Sequence, residues 1–441
     1  MKRHFAVEPE QHSEDRVSLN LNVRGLAPSA TVSINEESNR LIAAGRKVFK
    51  LGLGQSPFPV PECVVEALRA NAHQKFYLEV QGLSELRAAV AEFHWRNDGV
   101  PADPSLVLVG PGSKELMFLM QVAYYGDLVV PTPCWVSYVP QAQILGHHVC
   151  LVPASFEEGW QFPADRLDEL CREDPGRPRI VVLCYPGNPD GMTYDLQELQ
   201  RLAAVARRYE LILLSDEIYG KLHHRGEHVS VARFYPEGTI VSSGISKWCG
   251  AGGWRLGTFT FPPRLRWLLR AMTALASETF TSTSAPIQYA AMRAFQGGPE
   301  LEEYLGQVRR ILAALGGWCA TRLRATGARI HDPVGAFYLF PDFGPLAAGL
   351  AAHGITTSSE LCHRALAEIG VAILPGEEFQ RPENELTVRL SYVDFDGEAV
   401  LQAARGTPSG APLGDDFLHT HCARTVQAIE ALCAWLGEMS A

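Results

Sequence analysis

The chain has 441 residues, enough to bury a large core and to form roughly two or three domains. Its formal net charge of -10 is spread along the chain, which disfavours nucleic acid and anionic membranes as main partners. No apolar run approaches the about eighteen residues of a membrane-spanning helix, and the N-terminus lacks the apolar segment of a secretory signal. We therefore expect a cytoplasmic globular protein that binds neither a membrane nor nucleic acid.

The cysteine and histidine pattern predicts neither disulfides nor a metal centre. The cysteines are scattered without a Cys-x-x-Cys pair, which is typical of small buried side chains in a reducing compartment. One local cluster, formed by His419, His421 and Cys422, contains residue types that bind metals. It has no second ligand pair at a useful spacing, so we expect no metal there.

The two ends of the chain are predicted to fold together. Residues 1–65 and 312–441 both contain helical patterns with a few separate strand signals, so we expect them to form one small α/β domain. Residues 66–311 are predicted to form a larger domain. We find no internal repeat and no long segment of low complexity.

The larger domain alternates short apolar or β-branched runs with longer amphipathic stretches, such as 196–209. This spacing predicts a mostly parallel sheet covered by helices, which binds ligands beyond the carboxyl ends of its strands. The predicted strands are 105–110, 127–131, 179–186, 211–216, 239–244 and 257–261.

The C-terminal part has a different pattern. A Gly/Pro-rich segment at 404–416 is predicted to be a loop, and an amphipathic helix is predicted from residue 423 onward. Strand signals precede this loop at 335–340, 371–376 and 386–393.

Polar side chains follow four of the predicted strands of the larger domain, at the places where a parallel sheet binds its ligand. In chain order these side chains are Ser113 with Lys114, Asn188, Asp216 with Tyr219, and Lys247 with Arg255.

Each of these residues has an ordinary explanation when it is considered alone. Asn188 precedes a proline and is a common turn residue, and Asp216 could cap a following helix. Lys247 and Arg255 could be solvated surface cations. Their joint occurrence at successive strand ends is much harder to attribute to chance.

One cofactor, pyridoxal phosphate, has a chemical group for each of these residues. A lysine such as Lys247 forms a Schiff base with its aldehyde, and an aspartate such as Asp216 keeps its ring nitrogen protonated. Asn188 and Tyr219 can donate to the phenolic oxygen. Arg255 and a helix N-terminus can hold the phosphate. The strand ends therefore predict a pyridoxal phosphate site.

The motifs around these residues resemble those of a known family. "NPDG" at 188–191, "SDEIY" at 215–219 and "SKWCGAGGWRLG" at 246–257 are similar to motifs of class I/II aminotransferases, which are fold type I pyridoxal-phosphate enzymes. The resemblance runs from about residue 26 to about residue 400. "PTPCWVSY", "GSKELMF" and "GAFYLF" resemble the bacterial aspartate and aspartate/prephenate branch. The implied fold has a large domain with a mostly parallel central sheet between helices, and a small α/β domain built from both termini.

The resemblance also implies roles for residues that the strand ends do not reveal. Trp135 would stack on the cofactor ring. Ser246, which precedes Lys247, would also bind the cofactor, and so would Ser113 and Lys114. Tyr77 would reach the phosphate of a neighbouring subunit, which implies a homodimer with active sites shared across the interface. From the residues alone, Trp135 and Tyr77 could equally be core or interface aromatics.

Four residues are expected to contact the substrate. Arg389 resembles the arginine that grips the α-carboxylate, for which a bidentate guanidinium is well suited, although a structural ion pair is the alternative. Gly54 would bring backbone close to the substrate. Asn188 and Trp135 would touch both the cofactor and the substrate.

The implied activity is transamination of an α-amino acid with a keto acid, through a Lys247 aldimine and a quinonoid. The same residues would serve elimination at Cβ or Cγ, replacement or annulation, or oxidation, so these alternatives stay open. Lys114 could meet a distal substrate carboxylate, hold the phosphate, or be a solvated residue at a helix start.

Three segments depart from the family pattern, namely 54–61, 77–82 and 276–288, the last of which contains Glu278. These departures predict a specialised substrate, of the kind used in secondary metabolism. A ligand-sensing regulator is disfavoured because the family resemblance begins near residue 26, which leaves no room for a helix-turn-helix domain. A binding protein without activity would be expected to lose Lys247 or Asp216, and both are present.

Overall fold

A computed structural model describes residues 18–408 and 410–440. The helices are α1 (Ala30–Ala43), α2 (Glu62–Asn71), α3 (Ser84–Asp98), α4 (Ser113–Ala123), α5 (Tyr138–Leu145), α6 (Ala164–Glu173), α7 (Leu196–Arg208), α8 (Arg266–Glu278), α9 (Ala285–Gln296), α10 (Pro299–Arg324), α11 (Ala347–Ala352), α12 (Ser358–Ile369), α13 (Gly397–Arg405), α14 (Asp415–His421) and α15 (Ala423–Ser440). The strands are β1 (Phe49–Lys50), β2 (Val107–Gly110), β3 (Asp127–Thr132), β4 (Val149–Pro153), β5 (Arg179–Cys184), β6 (Ile212–Asp216), β7 (Thr239–Gly244), β8 (Gly257–Thr260), β9 (Tyr338–Leu339), β10 (Val371–Ala372), β11 (Leu374–Pro375) and β12 (Val388–Ser391).

The central sheet has seven strands within the described residues, in the order β2-β8-β7-β6-β5-β3-β4. Strands β3 to β7 run parallel, whereas β8 is antiparallel to both β2 and β7. The predicted α/β class with a mostly parallel sheet is confirmed. Strands β5 and β6 are apolar runs buried on both faces, because helices cover both sides of a parallel sheet.

Two strands of the structure were not predicted from the sequence. Strand β4, with the apolar sequence "VCLVP", lies at the sheet edge and is only partly buried. Strand β1 is only two residues long. The predicted strand at 105–110 begins with a short 3-10 turn at Pro104–Leu106 before β2.

The register of the sheet gathers several strand ends at one edge. Cys184 pairs with Asp216, and Asp216 pairs with Ser242 on β7. Because β8 is antiparallel, its first residue, Gly257, lies opposite Gly244 and Gly110, the last residues of β7 and β2. The segments that follow these ends therefore meet above one edge of the sheet.

The C-terminal part contains a second, antiparallel sheet with the order β11-β12-β9. Strand β1 pairs with β10, Phe49 opposite Val371, so a segment near the N-terminus joins the C-terminal part. The division at residues 65 and 311 stays a prediction. The loop predicted at 404–416 is shorter in the structure, because α13 ends at Arg405 and α14 begins at Asp415.

Helix α10 runs through the largest core cluster and buries Leu305, Ile311 and Leu315 against the C-terminal helices. The ten cysteines are free thiols, and none of them is exposed. In the predicted His419 cluster, the His419 Nδ1 lies 2.8 Å from the carbonyl oxygen of Asp415, within α14. Over the described residues, no helix is both long and apolar enough to cross a bilayer.

Candidate active site

Lys247 lies in the segment that follows β7, directly above the sheet edge. Its Nζ donates to the carbonyl oxygen of Gly54 at 2.6 Å. The same atom lies 5.6 Å from the ring centre of Tyr219 and 5.9 Å from that of Phe337. The amine is therefore held between backbone and aromatic faces, with Ser246 half-buried just before it in the chain.

The amine of Lys247 loses its proton more readily than an ordinary lysine. Burial lowers the pKa of Lys247 to about 8, and the positive charges of Arg389 and Arg255 act in the same direction. Asp216 opposes this shift. A measurable fraction of the amine is neutral near pH 7, which suits a nucleophile or a proton acceptor.

Asp216 is the last residue of β6, and its carboxylate is buried. Tyr138 Oη donates to Oδ2 at 2.7 Å, and Ser242 Oγ donates to Oδ1 at 3.2 Å. Burial raises the pKa of Asp216 to about 6, although both hydrogen bonds favour the charged form. At neutral pH this group is a buried negative charge that can stabilise a cation beside it.

Arg389 on β12 is fully buried and reaches the same space. Its Nη1 donates to Asn188 Oδ1 at 3.1 Å, and its Nη2 donates to the Gly52 carbonyl at 2.5 Å. Its Nε has no hydrogen-bond partner among the described residues. The guanidinium lies 4.8 Å from the ring centre of Tyr338. A buried arginine with an unsatisfied donor can bind a planar carboxylate.

Tyr219 and Tyr338 close one wall of this space. Their hydroxyl groups lie 2.7 Å apart, and their rings meet edge to face. A Cβ atom on Gly54 would lie 2.0 Å from the Tyr338 hydroxyl, so only glycine lets this backbone pass so close to the site.

Arg255 lies against the N-terminus of α4. Its Nη2 donates to the Pro111 carbonyl at 3.4 Å, and a Cβ atom on Gly112 would lie 2.4 Å from the same nitrogen. A Cβ atom on Gly257 would lie 2.2 Å from the amide nitrogen of Ser113, the first residue of α4. Helix amides and a guanidinium in this arrangement can bind an anion such as a phosphate.

Lys114 and Trp135 lie beside this anion-binding corner. Lys114 is exposed, and its Nζ lies 5.2 Å from the ring centre of Trp135. The Trp135 ring packs edge to face on Tyr138, the donor to Asp216, with ring centres 5.1 Å apart. Trp135 therefore lies between Lys114 and the buried carboxylate.

Tyr77 is the predicted site residue that the fold of one chain does not bring to this pocket. It is 89% exposed, and its neighbour Phe76 is 74% exposed. Glu278, the last residue of α8, is also exposed. The other predicted residues lie around one space: Gly54, Ser113, Lys114, Trp135, Asn188, Asp216, Tyr219, Ser246, Lys247, Arg255 and Arg389.

Sequence reasoning assigned no role to several residues that hold the site together. Tyr138 and Tyr338 lie in "PTPCWVSY" and "GAFYLF", which were quoted only as resemblances. Ser242 lies inside a predicted strand, where no pattern marks it as a donor to Asp216. Glu217 belongs to the "SDEIY" motif, but no role was predicted for it. Its side chain is buried on the side of the chain opposite to Asp216 and lies within hydrogen-bond distance of His228.

The sequence profile of the family described as "Aminotransferase class I and II" matches residues 46–405. Because this match covers most of the chain, the chain belongs to that family. The resemblance predicted from the motifs, the fold type I architecture and the enzyme class, a pyridoxal-phosphate-dependent transaminase, are confirmed.

Among curated relatives, an aspartate aminotransferase of Bacillus subtilis is 32% identical over 396 residues, which cover 87% of this chain and 97% of the relative. An aspartate/prephenate aminotransferase of Thermus thermophilus is 32% identical over 379 residues, covering 85% of this chain and 94% of that one. A solved structure of Thermus thermophilus aspartate aminotransferase with maleate superposes with a TM-score of 0.80 at 28% identity, over 94% of this chain and 99% of that one.

Proposed function

We propose that this chain transfers the amino group of an α-amino acid to a keto acid, using pyridoxal phosphate bound above the ends of β5, β6 and β7. The observation that carries the proposal is the placement of the Lys247 amine, which donates to the Gly54 carbonyl at 2.6 Å and faces the rings of Tyr219 and Phe337. Burial lowers the pKa of this amine to about 8, which leaves part of it neutral near pH 7. A buried carboxylate, Asp216, and a buried guanidinium, Arg389, lie close enough to influence it.

The residues at this edge fit the chemical groups of the cofactor. Lys247 offers an amine for the aldehyde, and Asp216 offers a buried charge for the ring nitrogen. Asn188 and Tyr219 offer donors for the phenolic oxygen. The fit is supported by the glycine at 112, where a side chain would fill the space beside Arg255.

The remaining assignments follow the same logic. The amides at Ser113 and the guanidinium of Arg255 would hold the phosphate, with Ser246 and Lys114 nearby. Trp135 would cover one face of the ring. When bound, the cofactor supplies an aldehyde that exchanges amines and a protonated ring that withdraws electrons from the substrate.

The chain's own residues then bind and orient the amino acid. Arg389 would grip the α-carboxylate with two of its nitrogens, and its unpartnered Nε is one donor available for this bond. Asn188 steadies the guanidinium through its side-chain oxygen. The neutral Nζ of Lys247 would take the proton from the substrate Cα and deliver it to the carbon that carried the aldehyde, as transamination requires. The faces of Tyr219 and Phe337 limit water around that amine.

We also infer a homodimer in which Tyr77 completes the phosphate site of the partner. Its exposure of 89% on one chain supports a role outside its own pocket. Because each site would then need both chains, the affinity for the cofactor should fall when the protein is diluted into monomers. Size-exclusion chromatography of the holoprotein that shows only monomers with full cofactor content would contradict this inference.

The substrate is inferred to be a specialised amino acid rather than aspartate or glutamate. The support is the unusual sequence of 54–61, which begins with Gly54 at the Lys247 amine, and of 77–82, together with the cationic Lys114 next to Trp135. Turnover of aspartate or glutamate well above all other amino acids would contradict it.

The test is an absorbance titration of the purified holoprotein with a panel of amino acids in the absence of keto acid. Transamination predicts that the visible band of the bound aldehyde form is replaced by the shorter-wavelength band of the amine form, with one keto acid released per site. Release of a small product without amine exchange, or oxygen consumption, would instead support elimination, replacement or oxidation.

Two variants control this titration. Lys247→Ala should bind the cofactor but show no band shift, because the amine that would form the Schiff base and transfer the proton has been removed. Lys47→Ala removes an exposed lysine that donates to Gln427 and lies over the Phe49 ring, and it should behave as the wild type. No cofactor band in the wild type after addition of pyridoxal phosphate would refute the proposal.

A further inference from the structure

Glu217 follows Asp216 but points to the opposite side of the sheet end, as adjacent residues of an extended chain do. Its carboxylate is buried. Ser215 Oγ donates to its Oε1 at 2.7 Å, and Ser230 Oγ donates to the same oxygen at 2.6 Å. His228 Nε2 lies 2.8 Å from Oε2. The substrate side of the site uses none of these contacts.

These bonds join the two ends of one segment. Ser215 belongs to β6, whereas His228 and Ser230 come after the segment that carries Tyr219. The carboxylate of Glu217 therefore closes a loop that begins beside Asp216 and contains Tyr219. A displacement of Glu217 would move both residues that are proposed to contact the cofactor.

His228 is placed to be the positive partner of Glu217. Burial disfavours the imidazolium, but the charge and hydrogen bond of Glu217, together with the charge of Asp98, raise the pKa of His228 above its ordinary value. The Lys221 cation acts in the opposite direction. The His228 Nδ1 is buried without a hydrogen-bond partner among the described residues.

Both polar and aromatic side chains surround this pair. A cavity of about 60 Å³ lies beside it and has room for a few water molecules that can serve the free Nδ1. Charged or titratable groups of α3, of α10 and of the Tyr219 segment line this cavity: His94, Asp98, Lys221 and Arg309. Glu302 on α10 lies 3.5 Å from the Lys221 amine, and the Tyr185 ring packs on His228 at 5.3 Å.

We propose that Glu217 and His228 form a buried ion pair that positions Asp216 and Tyr219, with the imidazolium balancing the charge of Glu217 next to Asp216. The proposal rests on the function inferred above, because it concerns residues assigned to the cofactor. Burial first, and then the Glu217 charge among smaller causes, raises the pKa of Asp216. Removing His228 should therefore raise the pKa of Asp216, because the Glu217 charge is no longer balanced. Removing the Glu217 charge should lower the pKa of Asp216.

The experiment compares cofactor affinity at about pH 6 and pH 8 in wild type, His228→Gln, Glu217→Gln and the double variant. His228→Gln leaves Glu217 charged but still bonded to two serines, so the affinity should fall about three- to tenfold more on acidification than in wild type. Glu217→Gln removes the charge, so its affinity should fall about three- to tenfold less than in wild type. The double variant should lie near Glu217→Gln.

His94→Gln is the matched control, because His94 lines the same cavity and bonds Asp98, not Glu217. It should leave the pH dependence unchanged. Shifts of both single variants in the same direction would refute the proposal, because a merely structural role loosens the loop whichever partner is removed. Failure of all paired variants to fold would also refute it, by making the pair a requirement for folding.

Unfolding of the cofactor-free protein separates this proposal from the proposed function. The double-variant cycle should give a coupling between positions 217 and 228 in the apoprotein, and no coupling would overturn the ion pair. If this coupling was present but the wild type bound no pyridoxal phosphate, the proposed function would be refuted, whereas the ion pair would be supported.

Discussion

Asp216 and Glu217 are adjacent buried carboxylates that lie in very different surroundings. Asp216 receives two hydroxyl donors, from Tyr138 and Ser242, and no cation bonds it directly among the described residues. Glu217 receives two serine donors and the imidazole of His228. Asp216 is therefore left with a charge available for a ligand, whereas Glu217 is satisfied by the protein itself.

The difference illustrates how a fold separates a binding residue from a supporting one. A buried carboxylate without a counter-ion is costly, and the cost appears as the raised pKa of Asp216, about 6. A ligand cation beside Asp216 would remove this cost, which is a reason for the ligand to bind. Glu217 offers no such gain because its partners are already present.

The largest expected effect comes from Asp216→Asn, which removes the charge that would stabilise the cofactor ring. We expect kcat to fall by about 10²- to 10³-fold in steady-state assays with the best amino donor. Asp127→Asn is the matched control, since Asp127 is a buried aspartate at the start of β3, paired with Arg177 away from the site. A loss below about threefold in Asp216→Asn would contradict the assignment.

Asp216→Asn lowers activity, but it should increase the stability of the cofactor-free protein. The pKa of Asp216 is higher in the folded state, about 6, than its ordinary value of 3.8, so its contribution to stability is present below 3.8 and is lost as the pH rises through 6. Above that range, Asp216→Asn should be more stable than wild type by about 3 kcal/mol. Urea unfolding at several pH values measures this difference, and a gain that is independent of pH would speak against it.

Tyr138→Phe tests the hydroxyl donors of Asp216. Loss of the 2.7 Å bond removes a donor that favours the charged carboxylate, so the pKa of Asp216 should rise. The acid limb of kcat/KM should move upward by about one pH unit. Tyr235→Phe removes a buried tyrosine hydroxyl that donates to the Leu211 carbonyl elsewhere, and its acid limb should not move.

The smallest effect is expected from Ser230→Ala, on the Glu217 side of the comparison. Glu217 keeps Ser215 and His228 as partners, so the cost should be about 1 kcal/mol in urea unfolding. We expect kcat to change by less than about threefold, since Asp216 is not touched. A loss of kcat as large as that of Asp216→Asn would mean that the two carboxylates do not have separate roles.

Much of the fold and of the site could be predicted from local patterns. The apolar runs that form β5 and β6 are marked by their composition, because strands buried on both faces are typically near-continuous apolar segments. Strand β4 was not predicted although its "VCLVP" run is apolar, and it is the edge strand of the sheet and only partly buried. Lys247 and Asp216 were found because strand ends in a parallel sheet converge, which is a property of the topology and not of any one residue.

The sequence by itself determined which chemical groups follow the strands: an amide after β5, a carboxylate at the end of β6, and an amine with a guanidinium after β7. The tertiary structure alone decided their partners. Tyr138 bonds Asp216 across 78 positions, and Arg389 bonds Asn188 across 201. Burial and these distant contacts set the charge of each group, because desolvation and hydrogen bonds depend on neighbours in space that no local pattern of residues encodes.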